Sequence, residues 1–282
     1  MTSEHLVSPE ELARLLAGPG PAPRLVDARF QLMDPAYGEA AYARGTLPGA
    51  VHLDLDKHLA GPVGRHGGRH PLPDMEGFAA RLGAMGIGND DPVVVFDDGG
   101  DMYAARAWWL LRYAGLTDVR FLDGGLNAYL AGGGRLVPPG PPPAPRPFKL
   151  SLRPDMVVDV GFVKGALGSS DVLIVDARAP ERYRGETEPL DPKAGHIPGA
   201  VNLHYAADML NGRFAPTATL RERLAVAATR ETVVAYCGSG VSGAHLVLAL
   251  ELAGYPGAKL YAGSWSDWSS YDLPVATGDE EG

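Results

Sequence analysis

The chain is almost without cysteine: among 282 residues there is one, Cys237. A single thiol excludes an internal disulfide and any zinc site built on several cysteines. It also removes the Cys-x-x-Cys pair that thioredoxin-like redox chemistry requires. Long apolar runs are missing too, and none approaches the roughly 20 residues needed to span a bilayer. No basic segment followed by an apolar one opens the sequence, so no secretory signal is evident and a cytoplasmic location is expected. Basic charge is in deficit, with 25 Lys and Arg against 34 Asp and Glu, a net charge of −9. Nothing resembles a basic stripe, which argues against a nucleic-acid partner.

What the chain has in quantity is glycine and proline, 37 and 25 residues. They cluster in loops and one linker, so they mark tight turns rather than disorder. A content of 45% hydrophobic and 21% charged residues is that of an ordinary folded protein, and 282 residues suit two domains with separate cores. The two halves repeat one another. Leu25-Val26-Asp27-Ala28-Arg29 returns as Ile174-Val175-Asp176-Ala177-Arg178. Gly45-Thr46-Leu47-Pro48-Gly49-Ala50-Val51 returns as Gly195-His196-Ile197-Pro198-Gly199-Ala200-Val201. Val93-Val94-Val95-Phe96-Asp97 matches Val233-Val234-Ala235-Tyr236-Cys237, and Val119 to Gly125 matches Ala258 to Ser264. Between the halves, Gly132-Gly133-Gly134 and the proline-rich stretch from Pro138 to Pro145 predict an extended, semi-rigid linker. The expected domains are 1–135 and 156–282, joined by 136–155. Short apolar strands alternating with helices predict an α/β fold in each half, a mostly parallel sheet flanked by helices. Near the start, Ser8-Pro9-Glu10-Glu11 predicts a capped helix running through Leu16, and Asp279-Glu280-Glu281 reads as a solvated acidic tail.

The only thiol stands at the end of a predicted strand, in Cys237-Gly238-Ser239-Gly240-Val241-Ser242-Gly243, just before a predicted helix at Ala244–Leu252. Strand, glycine-rich loop and helix in that order turn backbone N–H groups toward one point, at the positive end of the helix dipole. That setting favours a thiolate, the nucleophilic form of cysteine. A lone cysteine is more often a small buried hydrophobe. Three glycines and two serines in six residues pack poorly, however, and cradle an anion well. The first half carries Asp97 at the matching place, followed by Asp98-Gly99-Gly100-Asp101, so it keeps the scaffold without the nucleophile.

The paired Val-Asp-Ala-Arg signatures, Gly195-His196-Ile197-Pro198-Gly199-Ala200-Val201-Asn202, the cysteine loop and Gly263-Ser264-Trp265-Ser266-Asp267-Trp268 resemble the tandem-domain rhodanese family, the thiosulfate and 3-mercaptopyruvate sulfurtransferases. The resemblance implies two tandem rhodanese-like domains, the first inactive, with a persulfide forming on Cys237 at a site between them. It implies no cofactor and no metal. The neutral Gly238-Ser239-Gly240 is similar to the mercaptopyruvate type, with Gly238, Gly240, Val241 and Ser242 in the substrate loop. The family has threonine where this chain has Ser242. By the same resemblance Asp56 and His70, with Ser239, would form a proton relay, and Arg182 would hold the donor's anionic group. A second arginine that mercaptopyruvate enzymes carry before the Gly-His motif is missing, and Lys193 is the one cation offered there. Arg184 reads equally as a surface charge, and His196 as structural.

The expected reaction is ping-pong transfer of sulfur from a small donor to a thiophilic acceptor such as cyanide, thioredoxin or another thiol. The donor stays open, with 3-mercaptopyruvate favoured over thiosulfate. A sulfur carrier or interaction module that never turns over a small donor is the non-enzymatic alternative. A cysteine phosphatase is disfavoured, because such loops place an arginine six residues after the cysteine and Gly243 stands there.

Overall fold

Short strands of three to five residues, rich in Val, Leu and Ile, become the inner strands of two sheets, because helices bury both of their faces. The computed structural model describes residues 4–99, 102–141 and 143–279. Gly100 and Asp101 of the first loop, Pro142 of the linker, and Glu280 and Glu281 of the acidic tail lie outside the described residues. The chain divides into two units: one of Met1–Gly61, Pro73–Arg153 and Asn211–Arg213, the other of Pro62–Leu72, Pro154–Leu210 and Phe214–Gly282. Segment 62–72 comes from the first half of the sequence and belongs to the second unit.

In the first unit five parallel strands lie in the order Leu6–Val7, Val119–Leu122, Val93–Phe96, Arg24–Asp27, Val51–His52. The second unit has Val157–Val158, Lys259–Tyr261, Thr232–Tyr236, Val172–Asp176, Val201–Asn202 in the same order and sense. The repeat holds to single hydrogen bonds. Ala28 N–H donates to Phe96 O at 2.8 Å, and Ala177 N–H to Tyr236 O at 2.8 Å. Each Asp-Ala-Arg signature closes on itself: Arg29 Nη2 donates to Asp27 at 2.6 Å and to Gly45 O at 2.7 Å. Arg178 Nη2 likewise donates to Asp176 at 2.8 Å and to Gly195 O at 2.6 Å. A buried ion pair is tolerated when its remaining donors are satisfied, and here the fork ties a strand end to the following Gly-x-x-Pro-Gly turn.

Ser8 caps the first helix, Pro9–Ala17, by accepting Glu11 N–H at 3.1 Å, so the helix runs one residue past Leu16. Apart from a bridge between Val137 and Thr46, the described linker residues up to Arg153 form neither helix nor strand, and the later part is pinned along the first unit. Arg146 N–H donates to Gly83 O at 2.8 Å, Lys149 N–H to Asn89 Oδ1 at 2.8 Å, and Ser151 N–H to Ala114 O at 3.1 Å. After the central strand of each sheet comes a 12-residue helix, Met102–Tyr113 in the first unit and Ser242–Ala253 in the second. The latter is buried on every side except at Glu251, which explains its unbroken apolar run.

His245 lies in that buried helix, stacked on Phe214 at 4.7 Å and edge-on to Tyr205 at 5.3 Å, with neither ring nitrogen hydrogen-bonded. Burial, helped by the Arg223 charge, pushes its pKa down to about 3. The unfolded ring takes up a proton below about pH 6.5 and the folded ring does not. Its contribution to stability is therefore present above pH 6.5 and is lost as pH falls toward 3, by about 1.4 kcal/mol per pH unit. His245→Phe keeps the ring packing and should lose less stability than the wild type between pH 7 and pH 5. Urea midpoints at the two pH values measure this, and an equal loss in both proteins would refute the neutral, dry histidine.

Candidate active site

The strand Thr232–Tyr236, in the middle of the second sheet, delivers Cys237 to its carboxyl end, where ligand sites of parallel sheets form. Cys237 is 2% exposed. Gly240 takes φ +80°, which a side chain would resist, and its N–H donates to Cys237 Sγ at 3.1 Å. Val241 and Ser242, both buried, then lead into the helix Ser242–Ala253.

The other side of the loop is held by the motif that begins at Gly263. Cys237 N–H donates to Ser264 Oγ at 3.1 Å. Trp265 N–H donates to Cys237 O and Ser266 N–H to Gly238 O, each at 2.9 Å. Ser264 adopts φ +56°, and Gly125, its counterpart in the repeat, adopts φ +60°. Left-handed backbone costs a non-glycine residue roughly 1–2 kcal/mol. The second unit accepts that strain and gains a hydroxyl that glycine lacks. In the first unit the corresponding amides, Leu126 and Asn127, donate to Asp97 O and Asp98 O at 2.8 Å. There the Asp97 carboxylate accepts Ala104 N–H at 3.0 Å, as Cys237 Sγ accepts Gly240 N–H.

Segment 62–72 docks on the same motif. His66 stacks on Tyr271 at 4.0 Å, Gly67 N–H donates to Asp267 Oδ1 at 2.7 Å, and Arg69 N–H to Ser266 Oγ at 3.0 Å. Gly68 takes φ +84° and sits so close that an added Cβ would lie 2.4 Å from Gly263 O. This docking brings His70 Nδ1 to 2.7 Å from Ser239 Oγ, with both residues 6% exposed. Two of the expected relay residues are thus in contact. Asp56, the third, belongs to the first unit; its N–H donates to Asp54 Oδ1 at 2.9 Å. Desolvation, and then the Asp54 carboxylate, raise the Asp56 carboxyl above its usual range.

Arg182 stands beside the loop: a Cβ added at Gly238 would lie 3.4 Å from both of its terminal nitrogens. Its fork grips Glu188 at 2.7 and 2.9 Å, and Glu188 also accepts from Arg178 at 3.2 Å. Lys193 does not fill the place of the missing arginine, because its Nζ donates to Tyr271 O at 2.6 Å. A second guanidinium reaches the loop from Arg69, which sequence reasoning passed over although it adjoins His70. Glu188, Asp191 and Ser264 were passed over as well. For Ser264 the available signal was its alignment with Gly125, which marks a left-handed position. His196 is structural as expected, stacked on Tyr183 at 3.8 Å with Nδ1 2.8 Å from Tyr183 O. Arg184 pairs at the surface with Glu186 at 2.7 Å. Among the described residues no group of His, Cys, Asp or Glu is placed to hold a metal ion, and no helix is long and apolar enough to cross a membrane.

The family model of the rhodanese-like domain matches residues 8–131 and again 159–271. The chain is 43% identical to a probable 3-mercaptopyruvate sulfurtransferase of Pseudomonas aeruginosa, over 99% of this chain and 100% of that one. It is 39% identical to a putative thiosulfate sulfurtransferase of Mycobacterium tuberculosis, over 94% of each. Among solved structures, the 3-mercaptopyruvate sulfotransferase SseA from Escherichia coli superposes with a TM-score of 0.81 at 30% identity, covering 94% of this chain and 100% of that one.

Gly68→Ala tests the docking of segment 62–72 without touching a chemical group. The added methyl clashes with Gly263 O, so the segment should lift, exposing 62–72 to limited proteolysis and separating His70 from Ser239. Unchanged protease resistance would show that the close approach does not hold the segment.

Proposed function

Since this chain belongs to the rhodanese family in both of its halves, we propose that it is a sulfurtransferase working through a persulfide on Cys237. The observation that carries the reading is the thiol at the carboxyl end of the central strand, with Gly240 N–H on its sulfur and a buried His70–Ser239 pair two residues on. In the first step the Cys237 thiolate attacks the donor's sulfur. With 3-mercaptopyruvate the carbon–sulfur bond breaks, sulfur stays on Cys237, and pyruvate leaves as an enolate that takes up one proton. Ser239, relayed by His70, delivers it in this reading, which their 2.7 Å contact supports. With thiosulfate the sulfur–sulfur bond breaks and sulfite leaves as an anion that needs no proton. In the second step an acceptor attacks the outer sulfur and returns Cys237 as thiolate: cyanide gives thiocyanate, and a thiol such as that of thioredoxin gives a new persulfide. The loop amides from Gly238 to Gly243 stabilise negative charge on the persulfide, as an oxyanion hole does.

The proposed division of labour puts the nucleophile in the 156–282 half, while Asp97 leaves the 1–135 half inert toward sulfur. Asp56 enters as the third relay member on the family resemblance. Arg182 binds the donor's anionic end, and a free reactive thiol suits a reducing, cytoplasmic setting. The buried His70–Ser239 pair favours 3-mercaptopyruvate, because only that donor's leaving group uses a proton. Thiosulfate is the second reading, supported by the relatives of that name.

Three measurements test the proposal. Intact mass should rise by one sulfur atom after donor treatment, and Cys237→Ser should abolish both that gain and thiocyanate formation. Residual turnover in that variant would sink the persulfide mechanism. Wild-type kcat/KM should be higher with 3-mercaptopyruvate than with thiosulfate. Ser239→Ala should lower the former by on the order of 10²-fold and the latter much less; a clear preference for thiosulfate would reverse the donor assignment.

A further inference from the structure

Two guanidinium groups, rather than one, face the cysteine loop. A methyl group built on Gly238 would lie 3.0 Å from Arg69 Nη2 and 3.4 Å from Nη1 and Nη2 of Arg182. The missing side chain at Gly238 leaves room for both forks beside Cys237. Both are gripped by carboxylates. Arg182 holds Glu188 at 2.7 Å, and Asp191 spans the two arginines, with Oδ1 on Arg69 Nη1 and Oδ2 3.4 Å from Arg182 Nη2. The Glu188 and Asp191 side chains are each 3% exposed, whereas Arg69 and Arg182 keep 26% and 20%. Asp191 lies between Pro189 and Pro192, in a stretch with neither helix nor strand.

We propose that Arg69 and Arg182 form a paired clamp for the carboxylate of the sulfur donor, and that Asp191 is the resident anion the donor displaces. The proposal rests on Cys237 being the sulfur acceptor, as argued above. Two planar forks over one small residue suit the two oxygens of a carboxylate, which an ammonium group would meet as a point charge. The backbone of Arg69 is held by its N–H on Ser266 and by the tight seat of Gly68, so the residue stays beside the loop when its guanidinium exchanges Asp191 for another carboxylate. Exchange of one carboxylate for another keeps the charge balance. Two guanidinium groups face Glu188 and Asp191 before binding, and Glu188 and the donor afterwards, while the displaced Asp191 carboxylate swings out to water on its stretch without helix or strand, so no buried charge is left uncompensated. Doubly charged thiosulfate would exceed that balance by one charge. The clamp therefore selects a monoanionic carboxylate.

Calorimetric titration with pyruvate, which carries the donor's carboxylate and no sulfur, tests the clamp separately from sulfur transfer. Arg69→Gln should weaken pyruvate binding roughly tenfold or more, Arg69→Lys should weaken it less, and Asp191→Asn should tighten it. KM for 3-mercaptopyruvate should rise in parallel in Arg69→Gln while kcat stays close to wild type. If Arg69→Gln fails to fold, Arg69→Lys, which keeps the charge and loses the fork, carries the comparison. Equal binding in wild type and the arginine variants, or no binding by wild type, would overturn the clamp. Weaker binding by Asp191→Asn would overturn the displacement. A wild-type protein with Arg69-dependent pyruvate binding but no mass gain on Cys237 would defeat the sulfurtransferase reading and leave the clamp standing.

Discussion

The second unit depends on two backbone hydrogen bonds, from Trp265 N–H and Ser266 N–H to the carbonyls of Cys237 and Gly238. A loop that turns an amide inward onto a sulfur must turn carbonyls outward, and buried carbonyls need donors. The first turn of the helix Ser264–Trp268 supplies those donors, since its leading N–H groups have no partner within the helix. The same few residues then do more. The Ser264 hydroxyl accepts from Cys237 N–H, while Ser266 and Asp267 receive the backbone of segment 62–72. One short stretch therefore shapes the nucleophile's loop and sets the position of His70 and Arg69.

The repeat shows the same scaffold without the thiol. Leu126 and Asn127 make the same two bonds to Asp97 and Asp98, on a sheet of the same strand order. With a carboxylate at the end of the central strand, the Ala104 amide in the first turn of the next helix is capped by a charge that cannot take up sulfur. Gly125 meets the left-handed position without strain, and no hydroxyl is supplied there. The two loops share a backbone design and differ in the few side chains that carry chemistry.

Charge around the cysteine loop is arranged in opposed pairs. Arg178 is held by Asp176 and Glu188, Arg182 by Glu188 and Asp191, and Arg69 by Asp191. Arg178 also lies over the Trp265 ring at 4.7 Å, which ties this network to the residues that hold the loop. The carboxylates are nearly buried and the outer guanidinium groups are not, so an incoming anion meets positive charge first. The cysteine loop itself is neutral, so the positive charge beside it comes from these arginines, and the buried Ser239 and His70 add a hydroxyl and an imidazole in contact with each other.

The repeat, the parallel α/β architecture and the place of the one thiol, Cys237, in a glycine-rich loop between a strand and a helix were legible from the sequence alone. Each is written in local signals: apolar runs of strand length, turn glycines and prolines, and the same motifs in the same order twice. Ser239 and His70 could be named from the family's motifs, but their contact joins residues 169 positions apart and exists only because segment 62–72 folds into the second unit. Tertiary structure alone decided that Arg69 supplies the second guanidinium while Lys193 turns to a backbone carbonyl. It also decided that a strained Ser264 stands where the repeat has glycine. The physical reason is that turn chemistry and burial pattern depend on neighbours in sequence. The direction of a long charged side chain depends instead on which distant carboxylate or carbonyl the packed fold brings within reach.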